Sequence, residues 1–220
     1  MRTIVLATQK GGSGKSTLAI GLAVAAIADG HRVGIIETDQ QGTVSNWGQR
    51  RTLLEPHIER AGSSMEIERA LLVLKRDGFT LAVIDTPATN NVLSLGAIAA
   101  ADLCLIPARP SPADIEAALP TLATVRKHGK PFAFILNHTP ARSYRVSEAA
   151  TALNAIGVLA LPYIVQRNDH QDALGAGLGV TEFVPDGKAA EEIRGLSQWV
   201  WKKLTAETIE REQIGIKAAG

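Results

Sequence analysis

Short apolar runs alternate along this chain with longer stretches in which apolar residues recur every three or four positions, and that alternation sets the expected fold. The runs at residues 3–8, 32–37, 81–85, 103–107 and 132–137 predict strands, and all but the fourth end in a polar residue. Residues 15–28, 64–76, 92–100, 112–127, 146–156 and 189–207 carry the helical pattern. Pro112 directly follows Ser111, which suits a first helical position behind an N-cap. The strands are apolar throughout instead of alternating with polar residues, the mark of strands covered on both faces. The expected architecture is a doubly wound, mostly parallel α/β sheet flanked by helices. No linker-like stretch divides the chain, so residues 1–220 are expected to form a single domain.

The chemistry begins where the first strand meets the first helix, at Lys10-Gly11-Gly12-Ser13-Gly14-Lys15-Ser16-Thr17. Only glycine lets the backbone turn tightly enough for successive N–H groups to face one anion, and the following helix adds the positive end of its dipole. Gly11, Gly12, Ser13, Gly14, Lys15, Ser16 and Thr17 therefore read as a phosphate-binding loop. Lys15 neutralises the β and γ phosphates, and the Ser16 hydroxyl ligates Mg²⁺. ATP and Mg²⁺ are the expected cofactors.

Ligands in doubly wound sheets sit beyond the carboxyl ends of the strands, and carboxylates stand there in this sequence. The second run ends in Glu37-Thr38-Asp39, where two carboxylates two residues apart can face a metal-bound triphosphate and the attacking water. The run at 81–85 ends in Asp85, a Walker B arrangement whose carboxylate holds Mg²⁺. Asn137 closes the run at 132–137, and its amide offers a donor and an acceptor suited to the adenine edge.

With a second lysine opening the loop, the motif K-G-G-x-G-K-[ST] resembles the deviant Walker A loop of the ParA/MinD family of dimerising ATPases. The resemblance covers nearly the whole chain and is nearest to the small ParF-like plasmid-partition ATPases, through Asn46-Trp47 and Pro110-Ser111-Pro112-Ala113-Asp114. It implies a homodimer that buries two nucleotides, with Lys10 reaching the nucleotide of the partner subunit. It also implies slow hydrolysis with Lys10, Lys15 and Asp39 as catalytic residues, Ser16, Asp39 and Asp85 around the metal, and Asn137 with Pro185 at the base. The family usually shows D-x-D-P-Q where this chain has Glu37-Thr38-Asp39-Gln40-Gln41, so Glu37 and Gln40 depart from the pattern.

Composition narrows the partners. A net charge of +1 gives the 220-residue chain no general affinity for nucleic acid. The ATP-gated, nonspecific DNA binding that the resemblance implies must then come from a local patch doubled by dimerisation. Arg167 and Lys188 are the candidate phosphate contacts, extended by Arg194, Lys202 and Lys203. The single cysteine, Cys104, lies in an apolar run and is expected to be buried and inert, which argues against relatives that need paired cysteines. No secretory signal or spanning segment is evident, so a cytoplasmic, nucleoid-associated protein is expected. The chain opens on its first strand, and operator recognition through a preceding helix-turn-helix domain is not expected. A ParB/ParG-like or cargo adaptor protein that stimulates hydrolysis is the implied partner.

Two other readings compete. A MinD-like membrane-associated ATPase needs a basic amphipathic terminal helix, whereas residues 207–220 alternate in charge sign and no membrane partner is expected. A metabolic enzyme of the dethiobiotin synthetase type shares the fold but has no need of Lys10.

Overall fold

The computed structural model describes residues 1–89 and 91–218, and for residues 207–218 the helical backbone alone. Six strands form one parallel sheet: β1 (Arg2–Leu6), β2 (Val33–Glu37), β3 (His57–Arg60), β4 (Leu81–Asp85), β5 (Leu103–Ala108) and β6 (Phe132–Leu136), in the order β3-β2-β4-β1-β5-β6. The helices are α1 (Lys15–Ala28), α2 (Thr43–Arg50), α3 (Ser64–Arg76), α4 (Val92–Ala100), α5 (Pro112–Lys127), α6 (Tyr144–Ile156), α7 (Asn168–Gly175), α8 (Val180–Phe183) and α9 (Lys188–Ala218).

Alternate residues of β1 divide the core in two. Ile4 and Leu6 face α1 and α9 in a layer with Trp47, Ile193, Leu196 and Val200, while Val5 and Ala7 face Ile67, Leu74, Ile98 and Leu122 of α3, α4 and α5. Every residue of β2, β4 and β5 is buried, which is why these strands read as unbroken apolar runs. Cys104 is among them, and burial pushes its thiol up to about 12 despite the opposing field of Lys130. It is inert at physiological pH.

Four elements go beyond the sequence expectation. Strand β3 is a four-residue edge strand with an exposed-to-half-buried pattern, so it carries no apolar run. Helices α7 and α8 are eight and four residues long, below what periodicity can resolve. Helix α2 is preceded by Gly42 at its N-cap position, whose φ of 70° and missing side chain leave no sequence signal for a cap.

The register aligns the carboxyl ends of the central strands. Leu6 pairs with Asp85, and Glu37 pairs with Asp85 from the other side. Chain crossover from β4 to β5 passes over β1, so the loop after β1 opens at the point where strand order reverses.

Candidate phosphate loop and nucleotide site

The loop from residue 10 to residue 14 leaves the end of β1 and turns into α1. Gly12 and Gly14 hold φ values of 70° and 87°, a region that side chains with a Cβ rarely adopt. At Gly14 the space is closed as well, since a Cβ would lie 2.3 Å from Asn137 Nδ2. Among the described residues no hydrogen bond occupies the amide N–H of Gly11, Gly12, Ser13 or Gly14. Those donors, at the positive end of α1, are free to face an anion.

Ser16 and Asp85 close the inner side of the site. Ser16 Oγ donates to Asp85 Oδ2 at 2.7 Å, while the buried Oδ1 of Asp85 has no partner. Burial pushes the Asp85 carboxyl up to about 7, against the pull of the Ser16 hydroxyl and Lys15. Lys15 is itself buried, and desolvation lowers its pKa although Asp85 and Asp39 oppose the shift. Thr38 binds the Asp85 carbonyl through its amide at 3.0 Å and its hydroxyl at 2.9 Å, fixing the ends of β2 and β4 together. An unpaired carboxylate oxygen beside a serine hydroxyl, below free N–H groups and a buried lysine, fits a hydrated divalent cation with a phosphate chain.

Asp39 is half-buried and bonds locally, its Oδ1 accepting the Gln41 amide at 3.0 Å. Its carboxylate stands close enough to Lys15 and Asp85 to act on both. Lys10 is exposed at the outer tip, and its ammonium pairs with no carboxylate among the described residues. Glu37 has a different job. Its Oε1 accepts the Val44 amide at 2.6 Å, its Oε2 the Ser45 amide at 3.1 Å and the Ser45 hydroxyl, so it caps α2 from the end of β2.

Beyond Thr17 lies a cavity of about 80 Å³ lined by Leu18, Asn137, His138, residues 164–167 and α7. Asn137 reaches this region from β6, yet it is already engaged: Nδ2 donates to the Ser13 carbonyl at 2.8 Å, and Oδ1 accepts the His138 amide at 2.9 Å. It braces the loop against the sheet and keeps one N–H in reserve. Residues 164–167 with His170, Gln171 and Leu174 line this cavity, whereas Pro185 does not line it and its carbonyl accepts from Arg194 at 2.7 Å. The expected DNA contact Arg167 also belongs to this wall. Its guanidinium pairs with Glu192 of α9 at 2.7 Å, with 25% of its side chain exposed. Lys188 begins α9 and lies at the mouth of a separate polar groove with Glu191 and Arg194.

Three site residues escaped the sequence reading. Arg109, at the end of β5, donates through Nη2 to the Gly12 carbonyl and holds the outer loop down. His138, next to Asn137, has a φ of 52°, and its Nε2 stands 3.0 Å from where a Gly14 Cβ would be. His170 lies on α7, more than thirty residues further on. Only Arg109 had a local signal, the strand end just before it.

The family model described as the VirC1 protein matches residues 1–172. The maintenance of carboxysome distribution protein A of Gloeobacter kilaueensis is 30% identical over 197 residues, which cover 87% of this chain and 88% of that protein. An ATP complex of McdA from Cyanothece superposes with a TM-score of 0.72 at 19% identity, covering 91% of this chain and 96% of the other. The cell division ATPase MinD of Pyrococcus furiosus gives a TM-score of 0.75 at 19% identity over 91% of this chain and 98% of the other. Matched across most of its length in sequence and in fold, the chain belongs to the VirC1 family, within the ParA/MinD group of deviant Walker A ATPases.

Proposed function

We propose that the protein is a slow, Mg²⁺-dependent ATPase that dimerises on ATP and positions cargo through ATP-gated, sequence-independent binding to DNA. The observation that carries this reading is the hydrogen bond from Ser16 to Asp85 with the second carboxylate oxygen left unpartnered beside buried Lys15. That arrangement suits a triphosphate whose metal is held by Ser16 and Asp85. When bound there, Mg²⁺ neutralises charge on the β and γ oxygens.

The chain's own residues supply the remainder. Amides of Gly11, Gly12, Ser13 and Gly14 cradle the phosphates, Lys15 pairs with the β and γ groups, and Asp39 orients the attacking water. Lys10, exposed and uncommitted, extends to the nucleotide of a second copy, where its charge stabilises the transferred phosphoryl group as an arginine finger does. This use of Lys10 favours a positioning ATPase over a metabolic enzyme on the same fold. The cargo is a plasmid, a chromosome region or a protein assembly, and the carboxysome-distribution relative supports the last of these. A separate adaptor protein stimulates hydrolysis.

Light scattering after size exclusion, with ATP, ADP or no nucleotide, tests the reading. A dimer formed only with ATP and Mg²⁺, dissolving as phosphate is released, is the expected result. An ATP-saturated monomer that phosphorylates or activates a small substrate points to the metabolic alternative.

A further inference from the structure

Two successive carbonyls of the phosphate loop are held by side chains from outside it. The Gly12 carbonyl accepts from Arg109 Nη2, and the Ser13 carbonyl accepts from Asn137 Nδ2 at 2.8 Å. Both donors stand one residue past the ends of neighbouring strands, because Ala108 of β5 pairs with Leu136 of β6 and the Asn137 amide donates to the Ala108 carbonyl at 2.9 Å. The sheet register thus sets Arg109 and Asn137 side by side.

The planarity of the peptide bond fixes what this does to the loop's donors. In a trans peptide the C=O of one residue and the N–H of the next lie in one plane and point in opposite directions, and neither peptide here is cis. Holding the Gly12 carbonyl toward β5 therefore turns the Ser13 N–H the other way. Asn137 does the same to the Gly14 N–H through the Ser13 carbonyl. Among the described residues no hydrogen bond occupies either amide, so both are available to an anion on the side away from β5 and β6.

A loop of this composition does not keep such a shape unaided. Glycine is the residue with the most backbone freedom to lose, and Gly12 and Gly14 both sit at positive φ. Ordering that happens only when the ligand arrives subtracts from affinity, whereas ordering already built into the fold does not. Arg109 is well placed to supply it. A Cβ at Gly12 would lie 3.1 Å from Arg109 Nη2, so the missing side chain is what lets the guanidinium approach the backbone. Among the described residues Arg109 forms no ion pair, and no carboxylate draws it from the loop.

We propose that Arg109 is a positioning residue for the nucleotide's phosphates: by holding the Gly12 carbonyl toward the end of β5, it aims the Ser13 amide at the anion before the nucleotide arrives. The inference rests on the ATPase reading and names a residue that shapes its phosphate cradle. Arg109 acts through the backbone. Lys15 and Lys10, in that reading, act on the phosphates themselves, so the three cations are expected to differ in what their removal changes.

Titration calorimetry of the full chain with ATP and with inorganic tripolyphosphate, each with Mg²⁺, tests this in wild type, Arg109→Met and Arg109→Lys, with steady-state phosphate release measured alongside. Methionine keeps much of the stem without the donor, and Arg109→Ala takes its place if that variant does not fold. Affinity for ATP and for tripolyphosphate is expected to fall together by about tenfold, as for one lost hydrogen bond. KM rises to match while kcat changes less than about twofold, because the aimed amide holds the phosphates equally before and during transfer. A single contact needs a single donor, so Arg109→Lys recovers most of the affinity. The ratio between wild type and Arg109→Met persists at about 1 M salt, where screening over about 3 Å removes a purely electrostatic pull but not the direction of an amide. Unchanged affinity in Arg109→Met, a loss confined to ATP, a loss that disappears at high salt, a kcat that falls with affinity kept, or a lysine variant as weak as the methionine one overturns the assignment and leaves the ATPase reading intact. Failure of wild type to bind either ligand overturns the phosphate-loop reading itself.

Discussion

Glu37 Oε1 accepts the backbone N–H of Val44 at 2.6 Å, so a carboxylate at the end of β2 serves as the cap that Gly42 cannot provide for α2. Its second oxygen takes the Ser45 amide, and its charge sits at the positive end of the helix. The departure from the family's usual aspartate thereby acquires a physical reason. The longer glutamate side chain reaches over the Asp39 turn to the first turn of α2.

Shortening or neutralising this cap costs stability first. Glu37→Ala is expected to lose about 2–3 kcal/mol, because the three charge-assisted hydrogen bonds to Val44 and Ser45 vanish and two backbone amides are left unpaired. The exposed Arg60, 3.8 Å from Glu37, contributes about 1 kcal/mol or less, so Arg60→Ala barely shifts the urea midpoint. Equal midpoints for Glu37→Ala and wild type contradict the capping role.

The two loop lysines separate binding from chemistry. Lys15→Ala leaves Asp85 and the phosphates without their buried cation, and nucleotide affinity is expected to fall on the order of a hundredfold. Lys10→Ala spares binding but lowers hydrolysis by about 10²–10³. Stopped-flow binding of a fluorescent ATP analogue and phosphate release measure the two effects separately. Wild-type affinity in Lys15→Ala contradicts the phosphate-loop assignment.

Asp39 is the candidate for orienting water, and its local bond to Gln41 makes a turn role the competing account. With the water unaligned, Asp39→Ala binds ATP, hydrolyses it poorly and accumulates as a dimer. Light scattering decides: a variant that remains monomeric with ATP, where wild type dimerises, makes the residue structural.

Arg51 and Glu182 connect α2 to α8 through a two-pronged ion pair at 2.7 and 2.8 Å, with Arg51 also stacked over Trp47. Burial raises the Glu182 pKa, but the Arg51 hydrogen bonds and charge with the Gly179 amide outweigh it and the net shift is downward. A depressed carboxyl stabilises the fold above its unfolded value of 4.5, and that stability is lost as pH falls through the lower folded value. Glu182→Gln should therefore be less stable than wild type at pH 7, with the gap closing as pH falls below 4.5 and through the lowered folded value. Thermal melts across that range measure it, and a gap that stays constant with pH removes the ion pair as the cause.

The phosphate loop was legible because its chemistry is contiguous: two lysines, three glycines and three hydroxyl residues fall within residues 10–17. The central strands were legible because burial on both faces writes an unbroken apolar run. Edge strand β3 has one neighbour and half-exposed residues, so no such run exists. The cavity beyond the loop was illegible for another reason: Thr17, Asn137 and His170 meet only through the tertiary fold, and a lone histidine has no pattern. Of the terminal segment, the side chains from residue 207 onward lie outside the described residues, and the expectation drawn from their charges with them.

Arg167 and Lys188 now predict different outcomes for DNA. Each phosphate neutralised by a free cation releases a counterion, so log affinity falls with log salt in proportion to the number of such contacts. Lys188 begins α9, and its removal takes two contacts from a dimer and lowers the salt slope by roughly two units. Arg167 already gives its charge to Glu192 and releases no counterion of its own. Arg167→Ala should leave the slope unchanged while loosening α9, whose Glu192 also accepts the Val165 amide at 3.0 Å. Mobility-shift titrations of random-sequence duplex at several salt concentrations, with ATP and with ADP, separate the two. Binding equal in ADP, or indifferent to salt, removes the ATP-gated DNA reading, and a slope lowered in Arg167→Ala but not in Lys188→Ala exchanges the roles assigned to these residues.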